Sequence, residues 1–326
     1  MKQRKITITA LIFIAVGVVL FFSAHALGAE GYITWRLGSG LRVGSLRDKA
    51  TLSGRDIKGV TSLQIHSVEA DIEFIPAPDY GFELTTYGEN PEWSIENGVL
   101  TVSEYASEAP VSMFNLIVPP MRSSSAVPYI KIYYPENTTP DTLDIKSVSG
   151  NISFPGVSGT VRSASFITVS GDIEARALEA DTLRLQSVSG VIRTRGVTAD
   201  SGYLETSSGD AVIEDFNGEM DGETVSGAIT LTAEKLSGRL NSVSGDIKIT
   251  AAEPRLALST MSGNVKITSS ARESDTRYDL NTLSGVITIN GNKTEGHAIS
   301  AHGGSFHIDA EATSGDISVE LGTRIK

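Results

Sequence analysis

Apolar and polar side chains alternate through the second half of the chain, in short runs that each contain a Ser-Gly pair. The phrase LRLQSVSGVIRT, residues 183–194, recurs as LDIKSVSGNISF, LNSVSGDIKIT, LALSTMSGNVKIT and LNTLSGVITI. The glycines of these pairs are Gly150, Gly171, Gly190, Gly209, Gly227, Gly245, Gly263, Gly285 and Gly315, and most steps between them are 18–22 residues. A short fixed period without a helical pattern is typical of a β-solenoid, in which each repeat is one coil stacked on the next.

Apolar columns within the repeat predict the buried side of each coil. They lie five residues before the glycine, two after it and four after it, which keeps the period of two of a strand with one buried face. The columns contain Ile145, Phe166, Leu185, Leu204, Leu240, Leu258 and Leu280; Ile152, Ile173, Ile192, Ile229, Ile247, Val265, Ile287 and Ile317; and Phe154, Ile213, Leu231, Ile249, Ile267, Ile289 and Val319. A further apolar position, which predicts three short strands per coil, holds Leu178, Val197, Phe216 and Leu236.

The Ser-Gly pair is predicted to form the corner where one strand ends and the next begins. We expect glycine here because a sharp corner requires a positive φ. A Ser or Thr three residues before the glycine is expected to hydrogen-bond the corner backbone and its counterparts in neighbouring coils. This column contains Ser147, Thr168, Ser187, Thr206, Thr224, Ser242, Thr260 and Thr282. With strands about 4.8 Å apart, about nine coils form a rod on the order of 40 Å long.

The chain before residue 141 is less regular. LQIHSVEADIEFIP, residues 63–76, matches the repeat with Ala70 in the glycine column and is interpreted as a first coil. WSIENGVLTV predicts a hairpin that turns at Asn97-Gly98, and a Pro- and Ser-rich loop excursion precedes the strand YIKIYYP. Residues 28–50 are thus a predicted Gly-rich tether, 51–140 an N-terminal β segment with the first coil, hairpin and excursion, and 141–326 the regular coils.

Residues 6–24, ITITALIFIAVGVVLFFSA, form an apolar run that is long enough to cross a bilayer as a helix, which takes about 20 residues. Lys2, Arg4 and Lys5 precede it. The positive-inside rule therefore predicts a single-pass anchor at residues 1–27, with a cytoplasmic N-terminus and an extracytoplasmic remainder. The alternative is a cleaved signal peptide, for which residues 24–26, Ala-His-Ala, supply a small-x-small cleavage site.

Charge and cysteine content exclude several kinds of partner and chemistry. Beyond the apolar run, 24 basic and 39 acidic residues give a formal charge of −15. Such a surface repels nucleic acid and anionic lipid, so a nucleic-acid partner is not expected. The chain has no cysteine, which excludes disulfides, thiolate metal sites and thiol nucleophiles.

An apolar N-terminal segment, the phrase SLQIHSVEADIEFIP and tandem VSGDI coils resemble the bacterial β-strand-repeat family of unknown function that carries the label "putative adhesin". The resemblance extends from about residue 55 to the end of the chain. It implies an all-β, single-stranded β-helix, usually right-handed, in the cell envelope. No catalytic motif belongs to the family, so the resemblance implies no catalytic residue.

The residue directly after each corner glycine raises the question of a calcium site. This column holds Asn151, Asp172, Val191, Asp210, Ala228, Asp246, Asn264, Val286 and Asp316. A calcium column needs oxygen ligands in successive coils, whereas valine and alanine interrupt this one, and the nonapeptide calcium repeat is absent. We therefore interpret these Asp and Asn residues as turn-forming.

No other pattern predicts a catalytic, cofactor or metal site. The outward column that contains Glu174 and Arg193 mixes charges without a persistent acidic pair, which indicates a solvated face rather than acid-base chemistry. Tyr203 and Tyr278 are isolated, whereas sugar binding favours stacked aromatic side chains.

Three histidines near the C-terminus are spaced five residues apart, at His297, His302 and His307. On a strand, odd spacing places successive side chains on opposite faces. They therefore do not converge on one metal unless a turn intervenes, and we interpret them as exposed polar residues.

The sequence therefore predicts a non-enzymatic extracytoplasmic surface module, either an adhesin or an envelope scaffold. We expect contacts with a cell-surface or envelope protein or a polysaccharide, through the outward strand faces and two loops, residues 103–128 and 269–279. One alternative is an accessory of envelope-stress signalling that binds a membrane partner through the anchor and tether; another is a carbohydrate-active β-helix enzyme. The last coil, ATSGDISVELG, is expected to leave an exposed edge that pairs with another chain.

Overall fold

The computed structural model describes residues 31–36, 40–44, 49–87, 91–104, 112–118, 128–300 and 304–325. These residues form strands almost throughout, with one short 3-10 turn at Glu273–Asp275. Within them, no helix combines the length and the apolar character that a bilayer crossing needs. The predicted anchor and the alternative cleavage site lie outside the described residues.

The first part of the chain contributes strands with irregular connections. They are β1 (Gly31–Arg36), β2 (Gly40–Gly44), β3 (Lys49–Ile57), β4 (Ser62–His66), β5 (Asp71–Pro76), β6 (Tyr80–Tyr87), β7 (Glu92–Glu96), β8 (Val99–Ser103), β9 (Ser112–Val118) and β10 (Tyr129–Tyr134). β1, β2 and β9 form a separate antiparallel sheet in the order β2-β1-β9. Two strands thus lie in the segment that its composition led us to expect as a tether, and one lies in the predicted excursion.

The remaining strands form the coils. They are β11 (Thr142–Lys146), β12 (Ile152–Phe154), β13 (Thr160–Thr168), β14 (Ile173–Ser187), β15 (Ile192–Thr206), β16 (Ala211–Thr224), β17 (Ile229–Ser242), β18 (Ile247–Thr260), β19 (Val265–Ser269), β20 (Thr276–Ile289), β21 (Asn292–Ile299), β22 (Phe306–Ala312) and β23 (Ile317–Glu320). Together with β3–β8 and β10 they form one continuous sheet.

The long strands bend twice, so that each coil has three inward-facing segments. In β14, buried residues alternate with outward ones except at residues 176–177 and 181–182, where two exposed residues follow each other. Leu178 lies in the middle segment and is buried, as are Val197, Phe216 and Leu236 in the same column. The prediction of three short strands per coil is therefore confirmed.

Successive coils stack in parallel and in register. Ile173 of β14 pairs with Ile192 of β15, and Leu185 pairs with Leu204. The apolar columns predicted from the sequence are buried, except that Ile289 is only partly buried at the edge of the stack. The columns form one continuous core, which confirms the all-β solenoid.

The corner glycines are required for a reason other than the one expected. None of the nine has a positive φ. Instead, a Cβ added to Gly209 would lie 1.9 Å from the carbonyl oxygen of Gly190, and the corresponding distance at the other eight is 1.8–2.1 Å. Glycine is needed because the backbones of successive coils approach closely at this corner. Positive φ occurs instead at another corner, at Ala177, Gly196 and Asp215.

The buried Ser/Thr column hydrogen-bonds the corner backbone, as predicted. Thr206 Oγ1 donates to the Gly209 carbonyl at 2.8 Å, and Thr260 Oγ1 accepts from the Gly263 N–H at 3.0 Å. The hydroxyls of Ser147 and Ser187 have no partner. Within the described coils, the bonds of this column run to the backbone rather than from one hydroxyl to the next, so the predicted hydroxyl ladder does not form.

The predicted first coil is present, with Ala70 at its corner. A Cβ added to Gly150 would lie 1.9 Å from the Ala70 carbonyl oxygen, so Ala70 begins the glycine column. The predicted hairpin joins β7 to β8 through Asn97 and Gly98, which both have positive φ. β8 pairs in parallel with β4, and β10 pairs in parallel with β5. A further layer therefore covers the N-terminal side of the first coil.

Glu104, a residue for which no sequence pattern predicted a role, completes this covering layer. In the inner coils, backbone N–H groups at the corner donate hydrogen bonds to backbone carbonyls of the preceding coil. The Ser170 N–H, for example, bonds the Val148 carbonyl at 2.8 Å. At the first corner a fully buried carboxylate accepts these bonds instead. Glu104 Oε2 accepts hydrogen bonds from the Ser67 hydroxyl and from the N–H groups of Val68, Glu69 and Ala70, and Oε1 accepts one from the Thr86 hydroxyl, all at 2.7–3.1 Å.

The ionised form of Glu69 is disfavoured at the same corner. Burial raises the pKa of Glu69, and the neighbouring charge of Glu104 raises it further. Because the pKa of Glu69 is higher in the folded state than in the unfolded state, ionisation of Glu69 lowers the free energy of unfolding at pH values above the folded-state pKa. This loss of stability disappears when the pH falls below the unfolded-state pKa.

The C-terminal coil lies inside the stack, which overturns the prediction that it forms the exposed edge. β22 pairs with β18 on one side and with β20 on the other, and β23 lies between β19 and β20 in the same way. The corner order is accordingly Gly263, Gly315, Gly285. The edge is formed by the exposed strand β21, which folds back antiparallel on β20. Sequence order therefore differs from stacking order at this end.

We predict that Gly209→Ala separates neighbouring coils and destabilises the protein by at least about 3 kcal/mol, because the added methyl overlaps a backbone carbonyl. Gly196→Ala is the matched control, since Gly196 has a φ of +64° and nothing within 4 Å of an added Cβ. The Gly196→Ala variant is expected to lower the free energy of unfolding by about 1–2 kcal/mol, because alanine disfavours a positive φ. Urea unfolding measures both, and equal losses would contradict the steric explanation.

Glu104→Ala is expected to lower the free energy of unfolding by about 3 kcal/mol, because it leaves buried corner amides without an acceptor. Hydrogen exchange at residues 68–70 should accelerate before the rest of the rod responds. Glu96→Ala removes an exposed carboxylate from the adjacent hairpin and should change stability by less than about 0.5 kcal/mol. Unchanged exchange at the three corner amides would disprove the proposed role of Glu104.

Candidate functional site

An exposed apolar ridge runs along the Ser-Gly corner of the rod. The residue two before each corner glycine follows the buried Ser/Thr, and in most coils it lies in the exposed bend that joins one strand to the next. Seven of the ten exposed large apolar side chains of the described residues lie in this column. We call them the corner ridge: Val148, Val169, Val188, Val225, Val243, Met261 and Leu283. Scattered apolar residues are normal on a surface, whereas apolar residues gathered into one row are typical of an interaction site.

The corner ridge is held rigidly by the backbone. The Val188 carbonyl accepts the N–H of Ser208 in the next coil at 2.9 Å, and the Val243 carbonyl accepts that of Ser262 at 2.9 Å. The side chains nevertheless remain exposed, from 41% at Val243 to 83% at Leu283. Folding thus fixes the row without burying it.

Two polar residues interrupt the row. In stacking order, Ser207 follows Val188 and Thr313 follows Met261. Both occupy the same corner position as the valines and make the same inter-coil backbone contacts, with the Thr313 N–H donating to the Thr260 carbonyl at 3.1 Å. A polar side chain therefore fits this corner, so the fold itself does not require valine there.

The Asp and Asn column beside the ridge binds backbone amides. Asp172 Oδ1 accepts the N–H of Val191 in the next coil at 2.8 Å, and Asp246 Oδ1 accepts that of Asn264 at 2.7 Å. Each side chain thus bonds the amide at the same corner position one coil further along, so it links successive coils rather than forming the local turn that we expected. In the described part of the chain, no three His, Asp or Glu side chains are grouped so as to hold a metal ion.

The outward column of Glu174 and Arg193 lines a shallow groove of about 280 Å³. Glu174 pairs with Arg176, and Arg193 lies 3.2 Å from Asp172. Arg195 on the same groove pairs with Asp215 at 3.5 Å. These arginines already have carboxylate partners, and the side chains of Glu174 and Arg193 are about half exposed to solvent.

The histidines of the C-terminal region form separate pairs with aspartates. His297 Nε2 lies 2.8 Å from Asp279, and His307 Nε2 lies 2.8 Å from Asp309. Asp279 and Asp309 occupy paired positions on adjacent strands. His302 lies outside the described residues.

These His-Asp pairs border a polar cleft of about 460 Å³ near the C-terminal end of the stack. The cleft lies on the outward face of the strand segments that precede the Ser-Gly corner. Its lining includes Arg239, Ser259, Asp279, His297, Asp309 and Glu311. The cleft can donate and accept hydrogen bonds, and it brings together strands whose sequence numbers differ by about 70. The inserted C-terminal coil creates this juxtaposition.

The two tyrosines lie in different surroundings. Tyr203 stacks with the Arg184 guanidinium, which is 5.0 Å from the ring centroid. Tyr278 is buried, and burial followed by the charge of Glu273 raises the pKa of Tyr278. Among the described residues, neither tyrosine packs against another aromatic ring.

Sequence reasoning used the Ser-Val-Ser-Gly phrase only as a turn signal and missed the ridge. The signal was present as a column, because an apolar residue recurs two positions before the glycine. The cleft had no such signal, since its residues are brought together by the non-sequential stacking order.

Comparisons with known proteins give one family match and several crystal structures of low sequence identity. The family model described as Toastrack DUF4097 matches residues 60–257. Crystal structures of a "putative adhesin" from Parabacteroides distasonis and of another from Parabacteroides merdae are 13% and 12% identical, with TM-scores of 0.46 and 0.45. Each alignment covers 83% or 86% of this chain and 97% of the other. A "putative adhesin" from Bacteroides fragilis is 11% identical over 84% of this chain and 97% of its own, with a TM-score of 0.41. No curated protein sequence matches the chain.

Proposed function

The chain belongs to the Toastrack DUF4097 family, and we propose that it is a non-enzymatic interaction module of the cell envelope, an adhesin or scaffold, that binds through the corner ridge. The single observation that carries this proposal is the row of exposed apolar side chains on a polar rod. A partner that covers this row removes apolar surface from water, at about 25 cal/mol per Å². The backbone geometry of the row is already fixed, so binding does not have to order it.

The residue choice in the ridge supports a binding role over a folding role. Ser207 and Thr313 show that the corner accepts polar side chains. The inward residues of the same coils are packed and fully buried, as at Leu204 and Leu240. Valine at an outward position contributes little to this core, and its apolar surface remains available to a partner.

The location of the module follows from the sequence outside the described residues. We propose that residues 6–24 anchor the chain in the cell membrane, with the N-terminus cytoplasmic and the rod extracytoplasmic. Repulsion between the acidic rod and the anionic lipid surface would then keep the rod away from the membrane.

A thiol experiment tests location and contact together, because the chain has no cysteine. Single-cysteine variants of the full chain react in intact cells with a membrane-impermeant maleimide that carries a photoreactive group. Ser226→Cys places the reagent beside the ridge, and Lys248→Cys places it on an outward face after the corner; both positions are exposed. We expect both variants to be labelled in intact cells and only Ser226→Cys to give photo-crosslinked adducts.

Two outcomes would overturn parts of this proposal. Labelling that requires cell lysis would disprove the extracytoplasmic location. Equal adducts from both positions, or none from Ser226→Cys, would disprove the ridge as the contact surface. Adducts confined to Ser45→Cys in the predicted tether would favour the envelope-stress accessory instead.

Carbohydrate processing is the second candidate function, and the polar cleft is the observation that favours it. Asp279 and Asp309 place two carboxylates on adjacent strands, and paired carboxylates are the usual catalysts of glycoside hydrolysis. We expect no reducing ends to be released when the full chain is incubated with cell-wall polysaccharide. Release that Asp279→Asn abolishes and Asp221→Asn leaves unchanged would establish the enzyme and overturn the non-enzymatic proposal.

A further inference from the structure

We propose that the partner of the corner ridge is a second copy of this chain. The two rods lie side by side and parallel, and the ridge residue of each coil, which we call a layer, faces the same residue of the other copy. This inference rests on the proposed function of the ridge as a contact surface. It adds the identity of the partner, the direction of the partner rod and the register of the contact.

The repeat distance of the ridge favours a second copy. Its side chains recur once per coil, about every 4.8 Å. A helix presents one apolar side chain per turn of 5.4 Å, and an extended strand presents one per about 6.8 Å on the same face. Because neither spacing equals that of the ridge, the side chains of a helix or a strand would fall out of step with the ridge residues along the row. A second rod has the same period by construction and can contact every layer.

The interruptions of the ridge favour the parallel direction. In a parallel pair with a two-fold axis along the rods, Ser207 faces Ser207 and Thr313 faces Thr313, while every apolar layer meets an apolar layer. An antiparallel pair centred on Ser207 also matches Val148 with Met261. It leaves Leu283, the most exposed ridge residue at 83%, opposite no ridge residue. An antiparallel pair centred on Val243 matches Ser207 with Thr313 but leaves Val148 and Val169 opposite no ridge residue, so only the parallel pair uses the whole ridge.

The charges beside the ridge repel in both directions and do not select one. One flank is the Asp and Asn column after the glycine, and the other is the outward position four before it. In stacking order this second flank holds Lys146, Ile167, Gln186, Glu205, Glu223, Asn241, Ser259, Glu311 and Asn281. In the parallel pair each flank faces the opposite flank, so acidic side chains meet at two layers, Glu205 against Asp210 and Glu311 against Asp316. In the antiparallel pair each flank faces itself, so Asp172 meets Asp246 and Asp210 meets Asp210.

The size of the ridge predicts a weak pair. The apolar strip is about 40 Å long and about 10 Å wide, so each copy would bury about 400 Å². A stable complex buries about 800 Å² per partner. We therefore expect association that depends on concentration and that chemical cross-linking captures.

Disulfide cross-linking of the full chain in membranes tests both partner and direction. Val169→Cys and Val243→Cys lie at widely separated layers of the ridge, and each single-cysteine variant is expected to form a covalent dimer under mild oxidation. Lys248→Cys lies on another outward face and serves as the matched control for random collisions. Adding Val188→Thr and Val225→Thr to the Val243→Cys chain should reduce dimer formation at least tenfold, because four ridge side chains of the pair become polar.

The outcomes separate this inference from the proposed function. Dimers from only one of Ser207→Cys and Val243→Cys, with none from Val169→Cys, would show an antiparallel pair centred on that residue. Equal dimers from Lys248→Cys would show non-specific collision, and either result overturns the inference. If no ridge variant dimerises while the Ser226→Cys photo-adducts contain another envelope molecule, the ridge is a contact surface but its partner is not a second copy. If both experiments give nothing at the ridge, the proposed function fails as well.

Discussion

The structure depends on the close approach of successive coil backbones at the Ser-Gly corner. At nine positions the space that a Cβ would occupy lies 1.8–2.1 Å from a carbonyl oxygen of the neighbouring coil. Only glycine permits this contact. The close approach also brings the Ser N–H within 2.8–3.0 Å of the carbonyl of the preceding coil in most layers. One steric constraint thus fixes the rise of the rod, the register of its strands and the position of the outward valines.

A stack of this kind leaves unpaired backbone at both ends, and the two ends are covered in different ways. At the N-terminal end, the Glu104 carboxylate replaces the missing coil and accepts the corner amides of residues 68–70. At the other end, the last coil inserts between β19 and β20, and β21 folds back on β20. Both arrangements reduce the exposed strand edge that would otherwise pair with other chains.

The corner ridge and the polar cleft arise from different features of the same stack. The ridge is a direct product of the repeat, since one outward residue per coil forms a straight row. The cleft depends on the departure from the repeat, because the inserted coil places Asp309 beside Asp279 and close to His297. A regular surface suits an extended contact, whereas an irregular cleft suits a small ligand.

The sequence by itself determined the solenoid, its buried columns, the hairpin at Asn97-Gly98 and the first coil with Ala70 at the corner. These features follow from local periodicity, because each coil contacts its neighbour at equivalent positions. Tertiary structure decided the reason for the corner glycines, the order of the last coils and the role of Glu104. A close approach between coils, a strand inserted out of sequence order and a carboxylate that meets amides about 35 residues away leave no local pattern, since each depends on which segments meet in space.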